Sequence, residues 1–259
     1  MNHLIKSTSL LSVILFSAFS FANSSHNQKI DEEREALLPK GTVDATVHHE
    51  YYSLNYCEDY EQSEWVAYQL TRKMLEGKVK RRDNFRSDPM VETKSASTWH
   101  YKHSGYSRGH LVPAGDMKVS KLAMSETFFM SNMSPQSSQF NSGFWNQLEQ
   151  KVRNIARSKN SIHIVTGPVL HEDLGFLKKG DVAIPDFFYK VLYFENSKKT
   201  FRKMLALLVP HSAKSKDDFE DYVVSVDELE NVTGIDFYSS FDDELENELE
   251  SETDAEFWF

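Results

Sequence analysis

The sequence predicts an α+β fold with a mainly antiparallel central sheet flanked by helices. Two observations support this prediction. Segments rich in β-branched and aromatic residues recur along the chain, and segments with the apolar spacing of helices lie among them. Residues 43–241 contain no low-complexity linker and no internal repeat, which indicates one large domain. Strands joined mostly as hairpins and mixed with helices are typical of this class.

Six segments have the composition of strands. They are 47–52, 65–71, 162–166, 188–194, 201–209 and 222–226. Val, Ile, Tyr and Phe are frequent in them, and these residue types pack well on a pleated surface. Cys57 is the only cysteine, so the chain cannot form an internal disulfide. No motif flanks Cys57, and we expect a structural strand residue rather than a nucleophile.

The strongest helix signal covers residues 144–157. Its apolar residues recur at helical spacing; they are Phe144, Trp145, Leu148, Val152 and Ile155. A second, shorter helix is predicted to begin at Asp227, where Glu230 completes a capping-box pattern. We expect it to end at Gly234, because glycine is common just after the last turn of a helix.

The first 22 residues have the pattern of a secretory signal peptide. Lys6 precedes a short apolar run, and Ser20 and Ala22 supply small residues before the expected cleavage point. The run is shorter than the roughly 20 residues that a membrane span needs. The sequence therefore predicts export, to the periplasm or the medium, and no membrane span after cleavage. We expect a flexible leader over 23–44, the folded domain over 45–241 and an acidic tail over 242–259.

The net charge of −10 is concentrated in that tail. Residues 242–256 contain nine acidic side chains and no basic one. The rest of the chain is therefore nearly neutral and carries basic clusters at 78–86 and 198–203, so the total charge does not exclude a nucleic-acid partner. A solvated extension is the default interpretation of such a run. The alternative is that the tail occupies a basic substrate groove as an autoinhibitor.

The run Ser107-Arg108-Gly109-His110 and the later Asn141 have the chemistry of a phosphodiester-cleaving site. Histidine can accept a proton near neutral pH, and the planar guanidinium of arginine matches phosphate oxygens. An asparagine oxygen suits Mg²⁺, which often keeps water beside one or two protein ligands. Glu149, with Arg153 four residues later, shares one face of the predicted helix.

Each of these residues also has a simpler interpretation. His110 alone fits a structural histidine, and Asn141 fits the N-cap of the following helix. Glu149 and Arg153 fit a surface ion pair. A zinc hydrolase with His100, His103 and His110 as ligands is a further alternative, since imidazole suits zinc. That alternative leaves the segment around Asn141 unexplained.

Taken together, segments 107–116, 126–136 and 141–149 resemble the DNA/RNA non-specific endonuclease family. These are sugar-non-specific nucleases with a ββα-metal (His-Me finger) site, and they include bacterial secreted nucleases and mitochondrial endonuclease G-like enzymes. Segments 165–168, 184–191 and 226–234 extend the resemblance over roughly residues 45–240. The order and approximate spacing of the segments follow the family throughout.

The resemblance implies a Mg²⁺-dependent endonuclease, with Mn²⁺ as a substitute, that cuts DNA and RNA and leaves 5′-phosphates. It implies a proton acceptor, a direct metal ligand, a carboxylate that holds metal-bound water, and arginines that contact phosphate or stabilise developing charge. The residues that correspond are His110, Glu149 and Arg153 in catalysis, Arg108 and Asn132 in substrate binding and site orientation, and Asn141 at the metal.

The sequence departs from the family at Ser107, where most members have Asp. The family's additional upstream arginine corresponds to Arg81, Arg82 or Arg86, and the sequence does not choose among them. A homodimer is compatible with the family. The alternative function is a nucleic-acid-binding member of the same fold in which catalysis is weakened.

Overall fold

A seven-stranded antiparallel sheet forms the centre of the structure, a computed structural model that describes residues 32–259. Numbered along the chain and given in their order across the sheet, its strands are β1 (Thr46–His48), β2 (Ser53–Cys57), β3 (Gln62–Thr71), β6 (Ser161–Pro168), β9 (Phe187–Glu195), β10 (Arg202–Pro210) and β11 (Val223–Val224). Two smaller sheets pair β4 (Ser107–His110) with β5 (Met133–Gln136), and β7 (Gly175–Phe176) with β8 (Ala183–Ile184). The predicted α+β class with a mainly antiparallel sheet is confirmed.

The long strands lie close to where the sequence predicts them, because their side chains are buried on both faces of the sheet. The prediction of one strand over 47–52 is wrong. The chain turns there, with the backbone N–H of His49 donating to the carbonyl of Tyr52 at 2.8 Å, and β2 follows the turn. Cys57 is the last residue of β2 and is buried, which fits a structural strand residue.

The α-helices of residues 39–259 lie between and after these strands. They are α1 (Arg72–Leu75), α2 (Thr98–Tyr101), α3 (Lys121–Glu126), α4 (Ser138–Phe140), α5 (Asn146–Lys159), α6 (Val226–Thr233) and α7 (Asp243–Glu250). A π-helical segment, Asn141–Trp145, joins α4 to α5. The helix predicted over 144–157 is thus α5 with the end of the π-helical segment. Its buried residues Leu148, Val152 and Ile155 belong to the main hydrophobic core beneath the sheet, and each such side chain contributes about 1.5–3 kcal/mol.

Helix α6 begins at Val226, one residue before the predicted start at Asp227. Ser225 is its N-cap, and the Ser225 side chain accepts a hydrogen bond from the backbone N–H of Glu228. Serine fills this position well because its oxygen satisfies an N–H that has no partner within the helix. The predicted end is confirmed, since Gly234 follows the last turn with a left-handed φ of 71°.

The acidic C-terminal segment is folded onto the domain, contrary to the expected solvated tail. It contains α7, and its Leu249 and Trp258 are only 2% and 4% exposed. Trp258 is part of the main core, and Phe257 packs on Phe194 with ring centroids 5.5 Å apart. Lys203 of β10 forms an ion pair with Glu252 at 2.5 Å. The apolar residues between the acids explain the difference, because they give the segment a face to bury.

The domain boundaries also differ from the prediction. One compact unit comprises Pro39–Phe259, so residues 39–44 of the predicted leader and the whole predicted tail belong to it. Thr42 accordingly hydrogen-bonds Glu64 of β3 at 2.6 Å. The predicted signal peptide over 1–22 lies outside the described residues. In the part of the chain that the structure describes, no helix has the length and apolar character of a membrane span.

Trp258→Ala should destabilise the domain by about 3 kcal/mol, because it empties a large buried site. The free energy of unfolding from urea denaturation measures the change. Trp99→Ala is the matched control, since Trp99 is 57% exposed and its loss should have a small effect. Equal effects of the two substitutions would contradict the packing described for the C-terminal segment.

Candidate active site

Two short strands and the helical segment after them bring the predicted site residues into one region. Strands β4 and β5 pair along their whole length, and β5 leads almost directly into α4. The hydroxyl oxygens of Ser107 in β4 and Ser138 in α4 lie 3.3 Å apart. The strand that carries His110 is therefore joined at its start to the helix that leads to Asn141. This β-β-α order is the arrangement that the resemblance implies.

The start of α4 is held by two side chains. The hydroxyl of Ser137 accepts a hydrogen bond from the backbone N–H of Phe140, so Ser137 is the N-cap. The backbone N–H of Ser137 donates to Nε2 of His211, whose Nδ1 lies 2.8 Å from the carbonyl of Pro185. Asn141 itself has helical angles, φ −58° and ψ −48°. Its interpretation as the N-cap is therefore wrong.

Asn141 begins the π-helical segment, and this leaves its side chain available. The segment is irregular at Gly143, where φ is −98° and ψ is −109°. π-Helical turns inside α-helices are frequent at functional sites. Asn141 is half-buried, and its side-chain amide forms no hydrogen bond with any residue of 32–259. Its oxygen is thus free to accept a ligand.

His110 ends β4 in an aromatic pocket. Its ring packs edge-to-face against Phe85 and Phe128, with centroids 5.8 Å and 5.1 Å away. The side chain is buried, and Nε2 has no hydrogen-bond partner within the described residues. A buried polar atom without a partner is costly in a folded protein and is often explained by function.

The surroundings of His110 keep its imidazole neutral. Burial, followed by the positive charges of Arg81 and Arg108, lowers the pKa of His110 from 6.5 to about 3. An unprotonated imidazole is the form that accepts a proton, so His110 has the charge state of a general base.

Two arginines stack on the same aromatic rings that surround His110. The guanidinium carbon of Arg108 lies 3.9 Å from the centroid of Phe85, and that of Arg81 lies 4.9 Å from the centroid of Phe128. Both arginines line an open depression that also includes Ser107. Cation–π stacking holds each guanidinium in place. The Nε–H of Arg81 also donates to Asp83 at 2.7 Å, which leaves the terminal N–H groups of that guanidinium available.

Of the three candidates for the upstream arginine, Arg81 is the one beside His110. Arg86 instead donates to the carbonyls of Ser125 and Asn84, at 2.9 Å and 3.2 Å, so it supports the local backbone. Arg82 lies with Arg81 and Lys121 on an adjoining basic surface. This surface extends the positive charge away from the histidine.

Gly109 is required by the close pairing of β4 and β5. A Cβ at this position would lie 2.2 Å from the side chain of Gln136, which is fully buried. Any larger residue would displace Gln136 or separate the two strands, and His110 would move with them. The glycine in the motif therefore has a packing role.

Asn132 positions the loop that follows His110. Its side-chain oxygen accepts from the backbone N–H of Val112 at 2.8 Å, and its amide donates to the carbonyls of Val112 and Thr127. Asn132 is 0% exposed. A direct contact with substrate, one of the two expected roles, does not fit this geometry, whereas orienting the site does.

Glu149 and Arg153 are part of a buried charged cluster rather than a surface ion pair. A guanidinium nitrogen of Arg153 lies 2.9 Å from Asp116 and 3.7 Å from Glu149. Asp116 also accepts a hydrogen bond from the hydroxyl of Tyr68 at 2.9 Å. Burial, and then the charge of Asp116, raise the pKa of Glu149, while Arg153 lowers it. The surface interpretation of the pair is wrong.

Lys190 completes this cluster and was not predicted from the sequence. It is 1% exposed, and its ammonium lies 4.9 Å from the ring centroid of Trp145 without a hydrogen-bond partner in residues 32–259. Burial lowers the pKa of Lys190, and the charges of Glu149 and Asp116 oppose that effect. The sequence contains two signals for this cluster: a lone lysine in the apolar run of β9, and Asp116 at the end of segment 107–116.

The zinc alternative does not match the structure. His100 lies in α2, where Nδ1 accepts a hydrogen bond from the backbone N–H of Ser97 at 3.0 Å. Within residues 32–259, no group of His, Cys, Asp or Glu side chains at metal-ligand distance includes His100, His103 or His110.

Comparison with known proteins identifies the family. The family model described as DNA/RNA non-specific endonuclease matches residues 36–244, which is most of the chain. The chain belongs to the DNA/RNA non-specific endonuclease family. The predicted family and enzyme class, a phosphodiester hydrolase, are confirmed.

Relatives and solved structures agree with this assignment. A protein named "Nuclease" from Nostoc sp. is 32% identical over 78% of this chain and 76% of its own length. A mitochondrial nuclease EXOG from Danio rerio is 33% identical over 71% of this chain and 58% of its own length. A solved structure of an EndoG/EndoGI complex superposes with a TM-score of 0.73 at 26% identity, covering 82% of this chain and 92% of that chain. The chain thus spans three quarters of the first relative and just over half of the mitochondrial one.

His110→Asn should make folding less sensitive to acid. In the native protein the pKa of His110 is lowered from 6.5 to about 3, so between these pH values the unfolded chain binds a proton that the folded chain does not. Stability therefore falls as the pH drops below 6.5, by about 2–3 kcal/mol at a pH near 4.5. Urea denaturation of the wild type and the variant at neutral and acid pH measures this.

The control for this test is His103→Asn, because His103 is exposed and asparagine tolerates its left-handed φ of 63°. This variant should keep the acid sensitivity of the wild type. If His110→Asn has the same pH dependence as the control, the buried neutral state of His110 is contradicted.

Proposed function

We propose that this chain is an exported, Mg²⁺-dependent nuclease that hydrolyses DNA and RNA with little sequence preference and leaves 5′-phosphate ends. The observation that supports it best is a buried, neutral His110 between two guanidinium groups, joined through β4 and α4 to the free amide of Asn141. A base, phosphate contacts and an oxygen ligand for a hard cation are the parts that phosphodiester hydrolysis needs.

His110 acts as the general base. It removes a proton from a water molecule, which attacks phosphorus in line with the 3′-oxygen. The bond between phosphorus and the 3′-oxygen breaks, so the products carry a 5′-phosphate and a 3′-hydroxyl, with solvent supplying the proton to the leaving oxygen. The aromatic pocket of Phe85 and Phe128 fixes the plane of the imidazole during the transfer.

Asn141 holds the cation, and Glu149 of α5, the helix that continues from the π-helical segment, holds water bound to it. The amide oxygen of Asn141 has no partner among the described residues, and carboxylate and amide oxygens are the ligands that Mg²⁺ prefers. When bound, Mg²⁺, or Mn²⁺ in its place, offsets negative charge on the phosphoryl group and the leaving oxygen. Arg153 and Lys190 balance the charges of Glu149 and Asp116.

Arg108 and Arg81 bind the phosphate backbone of the substrate. Their side chains line the depression that also includes Ser107, and basic residues continue along the adjoining surface. Contacts to phosphates carry no sequence information, which accounts for cleavage of both DNA and RNA. Arg153 is engaged by Asp116, so it contributes charge to the site.

The proposed export is supported by the signal-peptide pattern of residues 1–22. The relatives include mitochondrial nucleases, so they do not bear on it. We also propose that the chain forms a homodimer.

Digestion of circular single-stranded DNA separates endonuclease from exonuclease action, since only an endonuclease opens the circle.

His110→Ala and Asn141→Ala should each abolish Mg²⁺-dependent plasmid cleavage, because one removes the base and the other the metal ligand. A loss of about 10²-fold or more in rate is expected for His110→Ala. His103→Asn, at an exposed histidine with a left-handed φ, is the control and should keep full activity. Circular dichroism checks that each variant is folded.

Near-normal cleavage by folded His110→Ala would overturn its assignment as the base. Wild-type protein that binds DNA but does not cut it, with or without EDTA, would instead favour the alternative of a nucleic-acid-binding member without catalysis.

Arg81→Gln should weaken DNA binding in a salt-dependent way. Loss of one phosphate contact lowers the slope of log affinity against log salt by about 1. The matched control is Arg157→Gln, which makes the same change of charge at an exposed position near the end of α5. Fluorescence anisotropy with EDTA present measures binding without cleavage. Equal slopes for the two variants would contradict a direct contact by Arg81.

A further inference from the structure

Three carboxylates form a compact group outside the active site. Asp227 and Glu230 belong to α6, and Glu250 is the last residue of α7. One oxygen of each side chain lies within 4.8 Å of an oxygen of the other two. The proposed nuclease mechanism uses none of these residues.

The fold brings the carboxylates together through the packing of the two helices. Asp227 and Glu230 are three residues apart, so they share a face of α6. Leu229 of α6 and Leu249 of α7 are both buried, and the two helices contact each other. One oxygen of Glu230 accepts a hydrogen bond from the backbone N–H of Phe237 at 2.7 Å, which fixes the direction of that carboxylate.

Glu250 is the member of the group whose buried carboxylate lacks a partner for one oxygen. It is 5% exposed, and its Oε1 has no hydrogen-bond partner in residues 32–259. A buried carboxylate without a donor or a cation is strongly unfavourable. The described residues therefore do not supply the donor or cation that this carboxylate oxygen needs.

The charged groups around Glu250 make its ionised form still less favourable. Burial, followed by the negative charges of Glu230 and Glu246, raises the pKa of Glu250 to about 8. Burial, followed by Asp236 and Asp227, raises the pKa of Glu230 to about 7. Lys203 of β10 pairs with Glu252, which follows α7.

We propose that Asp227, Glu230 and Glu250 form a Ca²⁺ site that joins α6 to the C-terminal helix α7. The ligands are carboxylate oxygens from three side chains, and Ca²⁺ accepts six to eight oxygens, including waters, in flexible geometry. Mg²⁺ demands a tighter octahedron, and zinc prefers nitrogen and sulfur ligands. The ion supplies the positive charge that the protein lacks there and fastens the folded C-terminal segment to the domain.

The test uses the wild-type protein and two matched variants. Glu250→Gln keeps the shape of the buried side chain and removes its charge. Glu248→Gln makes the same change on an exposed residue of α7. Thermal unfolding is followed with EDTA and with millimolar Ca²⁺, and Ca²⁺ titration calorimetry is run in excess Mg²⁺, which saturates the proposed catalytic site.

Ca²⁺ should raise the unfolding midpoint of the wild type by about 3 °C or more and bind with a stoichiometry near one. Glu248→Gln should keep both effects, and Glu250→Gln should lose them while retaining Mg²⁺-dependent cleavage. No saturable Ca²⁺ binding by the wild type would overturn the site, as would an unchanged Ca²⁺ shift in Glu250→Gln. If the wild type shows no saturable Ca²⁺ binding, the carboxylates share protons instead, and Glu250→Gln should be at least as stable as the wild type at neutral pH.

Discussion

The ion pair between Arg153 and Asp116 is the interaction on which the geometry of the site depends. It links α5 to the loop that follows His110, and Tyr68 joins the same carboxylate to the central sheet. Three separate parts of the chain therefore meet at one buried charge. Removing either partner of such a pair leaves an uncompensated charge in the interior, typically at a cost of 3–5 kcal/mol. The position of the loop after His110 relative to α5 is thus maintained by electrostatics as well as by packing.

In the proposed function, the two arginines beside His110 act on the base and on the substrate together. Arg81 and Arg108 bring positive charge to the place where a phosphate would bind, and the same charge disfavours protonation of His110. Phe85 packs against both Arg108 and His110, and Phe128 packs against both Arg81 and His110. Ser107 contributes a hydroxyl contact to α4 instead of a negative charge, so it does not oppose this effect.

Sequence patterns predicted the parts of the fold in which burial of apolar side chains alone determines the composition. Long apolar strands and α5 were found because burial fixes their composition. Strands β4 and β5 were missed, since they are four residues long and contain Gly109 and Pro135, which composition assigns to turns. The acidic segment was misjudged because its charges obscured Leu249 and Trp258. His110 and Asn141 were found through the order of several motifs, whereas Lys190 depends on contacts between distant strands and helices.

The hydrogen bonds of His211 define its tautomer. The backbone N–H of Ser137 can only donate, so Nε2 of His211 must be without a proton, and Nδ1 must carry one to reach the carbonyl of Pro185. A doubly protonated ring cannot accept from Ser137, and burial accordingly lowers the pKa of His211. Strong acid would release the helix start that leads to Asn141, independently of any effect on His110. Acid therefore acts on the fold through two imidazoles, His110 in β4 and His211 at the helix start that leads to Asn141, because the pKa of each is lowered in the folded chain.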